Sequence, residues 1–377
     1  MKHLFLTVTL FIFIGVSSIA QNENENESFT NEAPHEVLTL KENNYFGKHA
    51  KNIILFIGDG MGVSHVYSAL TANRGVLNMT KMPFTGFSQT QSANSYTTDS
   101  AAGGTALSAG QRTYNGAIGV DTDTLAIPTI LEISKSKGYA TGLVSSSSIT
   151  HATPASFIAH QPKRSMEEEI AADFIGSDID IFIGGGRKFF VERNDGRNLL
   201  EELKKDNYFV FNSLNDAATV NSGKLAILTA DSHNETYPDR GEMLPDATEK
   251  AINVLKNNEN GFFLMVEGSM IDWGGHANNT AYVVQETLDF DRAIGKALEF
   301  ASSNKETLVI ITADHETGGM AISGGDINKG QVSGKYTTGG HTALMVPVFA
   351  YGAGADKFTG VYNNTDVFKK MIEAFGF

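Results

Sequence analysis

The stretch NIILFIGDGMG, residues 52–62, carries the clearest fold signal in this chain. It opens with the continuous apolar run NIILFIG (52–58), and Asp59 follows at once in a glycine-rich turn. A continuous rather than alternating apolar run indicates a strand buried on both faces of a largely parallel sheet. Further runs of this kind are ATGLVSS (140–146), IDIFIGG (179–185), GFFLMVEG (261–268), TLVIITAD (307–314) and VPVFAYG (346–352).

Segments with helical signals lie between these runs. Residues 281–301 place apolar side chains on one face and charged side chains elsewhere, which is typical of an amphipathic helix. Residues 245–258, with Asp246 as the expected N-cap, and residues 165–175, opening with Ser165, have the chemistry of helix starts. The alternation of strands and helices predicts an α/β fold with a central, largely parallel β-sheet and helices on both faces.

The ends of the chain differ in character from its body. Residues 1–20 combine Lys2, an apolar stretch and small residues ending at Ala20, which indicates a signal peptide; a transmembrane anchor is disfavoured because the apolar run is short. The polar, acidic run that follows predicts a flexible N-terminal segment over 21–50, and 51–377 reads as one domain. We therefore expect an exported protein, periplasmic or secreted, with no membrane anchor after signal cleavage.

Composition excludes several classes of function. The formal net charge is −14 at pH 7, so a nucleic-acid partner is not expected, because phosphate backbones are bound mainly through Lys and Arg. The chain contains no cysteine, which excludes disulfides and thiolate nucleophiles. Stability must then come from the core, for which the 41% hydrophobic content is sufficient, and from metals.

Side chains with metal-binding chemistry follow several of the predicted strands, at the sheet edge where ligands bind in open α/β folds. Each signal is weak alone, since GDGMG is more often a turn and Asp272 with His276 could be one polar helix face. Together, imidazoles among carboxylates favour Zn²⁺, and an oxygen-only set with threonine favours Mg²⁺. The set is the right size for two zincs and one magnesium. Its members are Asp59, Ser100, Thr153, Glu267, Asp272, His276, Asp314, His315 and His341.

The segment SYTTDSAAGGT, residues 95–105, places Ser100 beside an aspartate and before a run of small residues. Two interpretations are open from these residues alone. The segment could be a tightly packed helix, or it could present a nucleophile at a helix N-terminus with small side chains that leave room for metals and substrate.

Several segments, in their order along the chain, resemble the motifs of the bacterial alkaline phosphatases. They are IGDGMG (57–62), TTDSAAGGTALSAGQRTYNGAIGVD (97–121), THATPASFIAHQPKR (150–164), VEGSMIDWGGHANN (266–279), ADHETGG (313–319) and TGGHT (338–342). The resemblance extends from about residue 51 to 352 and is closest to the short secreted forms. It implies the alkaline-phosphatase-like superfold, small phosphomonoester substrates, hydrolysis through a phosphoserine intermediate and a homodimer.

Specific roles also follow from the resemblance. Ser100 would be the nucleophile and Arg164 would hold the substrate phosphate. The first zinc would be held by Asp272, His276 and His341. The second zinc would be held by Asp59, Asp314 and His315, with Ser100 as a further ligand. The magnesium would be held by Asp59, Thr153 and Glu267.

Two positions depart from the best-known bacterial pattern. His151 stands where that pattern has an aspartate, and Trp273 stands where it has a lysine. The first change removes acidic support for the magnesium site and the second removes a cation near bound phosphate. We expect easier loss of the third metal and weaker retention of the phosphate product. Asp99 is expected to lie beside the metal ligands and to orient Arg164.

Other interpretations remain open from the sequence. Another metal-dependent hydrolase of the same superfold, such as a phosphodiesterase or a sulfatase-like enzyme, shares the fold-level features. A non-catalytic secreted zinc-binding module would share the metal ligands. The histidines His65, His160 and His233 are expected to be structural or solvated, because they stand apart from the other candidate ligands.

Overall fold

A computed structural model describes residues 27–40 and 47–377. The predicted signal peptide, residues 1–20, lies outside the described residues and remains a prediction. Within the described residues, no helix combines the length and apolar character needed to cross a bilayer.

The described residues form strands and helices in alternation. The strands are β1 (Ser28–Thr30), β2 (Asn52–Gly58), β3 (Phe84–Gln89), β4 (Ala140–Ser148), β5 (Ile181–Gly185), β6 (Tyr208–Phe211), β7 (Lys224–Leu228), β8 (Phe262–Gly268), β9 (Thr307–Thr312), β10 (Glu316–Thr317), β11 (Ala321–Asp326), β12 (Gln331–Lys335), β13 (His341–Thr342), β14 (Val346–Gly352) and β15 (Gly360–Asn363). The helices are α1 (Val63–Ala72), α2 (Ser100–Ala109), α3 (Ile130–Ser136), α4 (Ala152–Ala155), α5 (Glu167–Asp173), α6 (Lys188–Val191), α7 (Leu199–Lys205), α8 (Met243–Leu255), α9 (Met270–His276), α10 (Thr280–Ser303) and α11 (Asn364–Phe375).

The central sheet has ten strands among the described residues, in the order β15-β3-β14-β9-β2-β8-β4-β5-β7-β6. Strand β14 runs antiparallel to both of its neighbours, β3 and β9. The other neighbouring pairs are parallel. The predicted α/β fold with a central, largely parallel sheet is therefore confirmed, and VPVFAYG is its one antiparallel strand among the described residues.

Both faces of the sheet are covered, as the continuous apolar runs predicted. In β2, Ile53, Leu55 and Ile57 belong to the hydrophobic core on one face, together with residues of α2, α3, α7 and α11. Ile54 and Phe56 belong to the core on the opposite face, with residues of α1, α8 and α10. Because successive side chains of a strand alternate between faces, a strand with cores on both sides must be apolar throughout.

Four strands of the sheet were not predicted, namely β3, β6, β7 and β15. Strand β3 has alternating burial rather than a continuous apolar run, and β6 and β15 are four-residue strands at the two edges of the sheet. Short edge strands bury little and carry weak apolar signals.

The predicted helices are present, but two of their starts differ. Helix α8 begins at Met243, after the N-cap Glu242, so Asp246 lies in its first turn and is not its cap. Helix α5 begins at Glu167, two residues after the predicted opening serine. Acidic residues near a helix N-terminus stabilise it from several positions, which makes the exact first residue hard to read from sequence.

The N-terminal segment differs from the prediction of a flexible linker over 21–50. Ser28–Thr30 pairs antiparallel with β12, in a small sheet of order β1-β12-β11. The backbone N–H of His35 donates to Asn73 Oδ1 at 2.9 Å, and its ring Nε2 lies 2.8 Å from the buried carboxylate of Asp291. Backbone pairing and a hydrogen bond to a buried carboxylate therefore hold the described part of this segment against the domain.

Candidate active site

Asp59 directly follows β2, at the centre of the sheet, and its side chain is fully buried. Burial, followed by the negative charges of Asp314, Asp272 and Glu267, raises the pKa of Asp59 well above its ordinary value. The next residue, Gly60, has φ +70°, and a Cβ there would lie 2.6 Å from Thr317 Oγ1. The glycine that suggested a simple turn therefore lets two segments of the site approach each other closely.

Ser100 is the first residue of α2. Asp99 is the N-cap, and its Oδ1 accepts from the backbone N–H of Ala102 at 3.1 Å. The hydroxyl oxygen of Ser100 lies 3.4 Å from Asp59 Oδ1 and 3.3 Å from His315 Nε2. A buried serine hydroxyl thus faces a carboxylate and an imidazole at the positive end of a helix dipole.

The small residues that follow Ser100 serve close packing. A Cβ at Gly103 would lie 2.9 Å from the Cβ of Asp314, and Gly104 faces Ser156 in the same way. Nearly every residue of α2 is buried. Each interpretation of the segment is therefore partly right. Helix α2 is tightly packed, and its small residues allow the close approach that places Ser100 beside the carboxylate of Asp59.

The residues expected to hold the second zinc lie together. Asp59, Asp314 and His315 offer ligand atoms that all lie within 4.8 Å of one another, and all three side chains are buried. His315 Nε2 is 3.3 Å from Asp314 Oδ2 and 3.5 Å from Asp59 Oδ1. Asp314 Oδ2 is buried without a hydrogen-bond partner. A bound cation would coordinate this oxygen.

The residues expected to hold the first zinc also converge. His276 Nε2 lies 3.3 Å from Asp272 Oδ2 and 3.1 Å from His341 Nε2, and His341 Nε2 lies 3.5 Å from Asp272 Oδ1. The hydrogen bond to Asp272 raises the pKa of His276 to about 9. His315 is shared with this region, because its ring stacks on that of His341 with centroids 3.6 Å apart.

The position of His341 depends on the direction of β14. His341 precedes that strand, whereas Asp59 and Asp314 follow the strands β2 and β9. Because β14 runs antiparallel to β9, it begins at the edge of the sheet where the parallel strands β2 and β9 end. A residue before this strand therefore reaches the same site as residues after the others.

The residues expected to hold magnesium form a third group. Thr153 Oγ1 lies 3.5 Å from Asp59 Oδ2, and Asp59, His151 and Glu267 offer ligand atoms within 4.8 Å of one another. Ser145 and Ser269 both donate to Glu267 Oε2, at 2.7 and 2.6 Å. Glu267 Oε1 is buried without a partner, and burial raises the pKa of Glu267 to about 7.

Arg164 lies between Asp99 and His151. Its Nη1 is 3.2 Å from Asp99 Oδ2, and its Nη2 is 3.2 Å from His151 Nε2. Burial, then the charges of Arg164 and His233, lowers the pKa of His151 to about 3, so this imidazole is neutral and its Nε2 can accept from Arg164. Asp99 therefore contacts Arg164, as expected, and also caps α2.

His233 is a residue of the site that the sequence did not reveal. Its ring packs edge-on against Trp273, with centroids 4.9 Å apart and an interplanar angle of 88°, and it also contacts His151. Its Nδ1 accepts from the backbone N–H of Ser148 at 3.2 Å. His233 therefore makes structural contacts, as expected, but it makes them beside His151 and Trp273. His65 and His160, by contrast, lie outside these three ligand groups.

The donor set fits divalent cations. Four carboxylates converge on one buried region, and two of them retain unpartnered oxygens there. Buried carboxylates without compensating cations are costly, and bound cations would offset this cost. Imidazole and carboxylate together suit zinc, and the group of carboxylates with a threonine hydroxyl suits magnesium.

The alkaline phosphatase family model matches residues 50–334, a span that contains most of these residues. The chain belongs to the alkaline phosphatase family. It is 35% identical to alkaline phosphatase 3 of Bacillus subtilis, over 86% of this chain and 88% of that protein. It is 34% identical to the alkaline phosphatase of Escherichia coli, over 87% of each chain. The family match and these relatives therefore identify phosphomonoester hydrolysis as the activity of this protein.

A solved relative supports the same assignment. The alkaline phosphatase of the Antarctic bacterium TAB5 is 43% identical to this chain and superposes with a TM-score of 0.83, over 87% of this chain and 99% of that one. A histidine-to-aspartate variant of the TAB5 enzyme has been solved with Mg bound in the M3 site. The alkaline-phosphatase-like superfold expected from the sequence is confirmed.

Proposed function

We propose that Ser100 is the nucleophile of this phosphomonoesterase. The observation that carries the proposal is the position of its hydroxyl, buried at the N-terminus of α2 within 3.4 Å of Asp59 Oδ1 and 3.3 Å of His315 Nε2. Ser100 Oγ forms a bond to phosphorus as the bond to the alcohol oxygen breaks, and the alcohol leaves with a proton. Water then attacks the phosphoserine, which releases inorganic phosphate and restores the serine.

Arg164 holds the substrate phosphate in this proposal. Its planar guanidinium can donate to two phosphate oxygens at once, and its contacts with Asp99 and His151 restrict where the guanidinium points. Both neighbours act on the Arg164 side chain through hydrogen bonds, so they are positioning residues.

Two zincs and one magnesium are the proposed cofactors. Asp272, His276 and His341 would hold the first zinc; Asp59, Asp314, His315 and Ser100 the second; Asp59, Thr153 and Glu267 the magnesium. Bound there, the ions would supply positive charge to the serine oxygen, the phosphate and the departing alcohol. The fold holds the carboxylate oxygens and imidazoles of these residues around the hydroxyl of Ser100.

We further propose that the third metal binds less tightly than the other two. His151 is a neutral imidazole within reach of Asp59 and Glu267, where a carboxylate would add a negative charge and a hard oxygen. The TAB5 variant with aspartate in place of a histidine, and Mg bound in the M3 site, supports this interpretation.

Export, cleavage of residues 1–20, a periplasmic or secreted location and a homodimer are proposed on the basis of the family and the N-terminal sequence. The domain assignment over 51–377 is proposed on the same grounds. Small phosphomonoesters are the proposed substrates.

The experiment that tests this function combines metal content with activity. The purified protein should bind about three divalent ions per chain and should hydrolyse a chromogenic phosphomonoester at alkaline pH in a chelator-sensitive manner. Ser100→Ala should lower kcat/KM by roughly 10³-fold or more. Full activity of Ser100→Ala, or activity that persists after the metals are removed, would contradict the proposal.

A further inference from the structure

The hydroxyl group of Thr317 lies between the two groups of zinc ligands. Its Oγ1 is 2.5 Å from Asp272 Oδ1 and 3.2 Å from His315 Nδ1. The side chain is fully buried. One oxygen atom therefore contacts a ligand of the first group and a ligand of the second.

The chemistry of the three groups assigns a direction to both hydrogen bonds. An ionised carboxylate can only accept, so the single hydroxyl hydrogen of Thr317 is donated to Asp272. The oxygen lone pairs then accept from the Nδ1–H of His315. A histidine protonated at Nδ1 keeps a free lone pair at Nε2, the nitrogen that lies 3.3 Å from Asp314 Oδ2 and is needed for a metal.

The backbone of Thr317 also contacts two other segments of the site. Thr317 lies opposite His341 in the antiparallel pair β10–β13, and its backbone N–H donates to Gly60 O at 3.1 Å, one residue after Asp59. Its neighbours in space thus include ligands of both groups, contributed by segments that are far apart in the chain.

Close packing fixes the direction in which the hydroxyl group points. A Cβ at Gly60 would lie 2.6 Å from Thr317 Oγ1, and a Cβ at Gly275 would lie 3.0 Å from both Cβ and Cγ2 of Thr317. Two glycines therefore enclose the threonine on its hydroxyl and methyl sides. A β-branched side chain held this way has little freedom to rotate about χ1.

We propose that Thr317 is a positioning residue shared by both zinc groups, whose hydroxyl orients Asp272 in one group and selects the metal-binding tautomer of His315 in the other. The inference rests on the proposed function, because it assumes that both groups hold metal. It makes the two groups dependent on a single oxygen atom that itself binds no metal.

The test compares variants that differ in the hydroxyl group alone. Thr317→Val replaces the hydroxyl with a methyl group, and the smaller pair Thr317→Ser and Thr317→Ala differ only in whether a hydroxyl is present. Thr287→Val is the matched control, since the buried hydroxyl of Thr287 donates only to the backbone carbonyl of Val283 in α10. Zinc affinities are measured on metal-stripped protein by competition with a chromophoric chelator, and folding is followed by circular dichroism.

We expect Thr317→Val and Thr317→Ala to weaken both tightly bound zinc equivalents by about 10–100-fold, and Thr317→Ser to stay within about threefold of the wild type. Thr287→Val should bind zinc as the wild type does. If Thr317→Val does not fold, the ratio of the zinc affinities of Thr317→Ser and Thr317→Ala tests the inference instead. Equal affinities of those two variants, or weakening of only one zinc equivalent, would overturn the inference. A wild-type protein that binds no zinc would instead contradict the proposed function.

Discussion

At the scale of the residue, the central feature is the hydroxyl of Ser100 among buried acids. A serine hydroxyl ionises poorly at neutral pH and needs a base or a cation to become a nucleophile. The carboxylate of Asp59 and the imidazole of His315 lie beside it, and burial raises the pKa of Asp59. This arrangement is unfavourable for an empty site and favourable for a site that holds cations.

His151→Asp tests the third metal group at this scale. The substitution places a carboxylate beside Asp59 and Glu267, so Mg²⁺ affinity should rise by about tenfold or more. Magnesium binding is measured by titration of protein that retains its zinc. His151→Asn is the control, because it changes the size of the side chain without adding charge. An unchanged magnesium affinity in the aspartate variant would contradict the role given to His151.

Trp273→Lys tests how the enzyme releases its product. An ammonium group near the phosphate should lower the inhibition constant for phosphate by about 5–10-fold, on the order of 1 kcal/mol, and should slow turnover if release limits the rate. Trp273→Met, which removes the ring without adding charge, controls for the loss of the edge-on contact with His233. The interpretation fails if phosphate inhibition and turnover are the same in Trp273→Lys as in the wild type.

Asp59, Glu267 and Asp314 could be singled out from the sequence because each lies at or just after the end of an apolar run. The contacts of Thr317 and His233 could not be predicted. Thr317 lies only two residues after His315, but nothing in the sequence shows that its hydroxyl reaches Asp272, 45 positions earlier in the chain. His233 lies on a loop without a motif, and only the folded chain brings it to Trp273. Contacts of this kind depend on tertiary packing and have no local pattern.

At the scale of the element, short helices and turns hold the site in place. Helix α2 packs against the segments that carry Asp314 and Thr153, and the Asp99 side chain caps its N-terminus by accepting from the backbone N–H of Ala102. A second contact, which we call the His160 junction, joins α3 to the loop at residue 160. There His160 Nδ1 lies 2.6 Å from Gly119 O, and its Nε2 lies 2.9 Å from Glu132 Oε1.

This junction should stabilise the protein in a limited pH range. Its two partners are acceptors, so only the doubly protonated His160 can donate to both. The hydrogen bond to Glu132 raises the pKa of His160 above 6.5, and the charge of Asp173 acts in the same direction. That stability is present below pH 6.5 and is lost as the pH rises through the folded-state pKa.

The pKa of Glu132 is lowered from 4.5: burial, the largest single effect, opposes this shift, but the hydrogen bonds with His160 and Thr129 and the charge of His160 together outweigh it. Its contribution is present above pH 4.5 and is lost as the pH falls through the folded-state pKa. The junction is therefore strongest between these two ordinary pKa values.

We expect the Tm difference between the wild type and His160→Gln to be larger at about pH 5.5 than at about pH 9. Thermal unfolding of the metal-loaded proteins measures it. Glu132→Gln should show the same loss of pH dependence. A Tm difference that is constant with pH would show that protonation of His160 does not contribute to stability.

At the scale of the whole molecule, the sheet could be predicted because its inner strands are apolar on both faces. Strands β2, β8 and β9 were visible as continuous runs, whereas the edge strands β6 and β15 were not. The reversed direction of β14 was also not visible, since strand direction depends on its neighbours and not on its own residues. The pairing of residues 28–30 with β12 was missed because these residues lie within a polar, acidic run.

Removal of the metals should destabilise the molecule as a whole. The ligands come from strand ends that are distant in the chain, and ions that bind only the folded state add about 2.7 kcal/mol at 100 times their dissociation constant. Chelation should therefore lower Tm by at least about 4 °C. Readdition of zinc should restore most of the loss. An unchanged Tm after the metals are shown to be absent would contradict a contribution of the metals to stability.

The most direct test of the central claim is to trap the phosphorylated enzyme. The protein is mixed with a phosphomonoester at mildly acidic pH, quenched with acid and digested, and the peptides are analysed by mass spectrometry. The account predicts one phosphoryl group on the peptide that contains Ser100, and none in Ser100→Ala. Phosphate on another residue, or turnover with no phosphorylated peptide at any quench time, would contradict it.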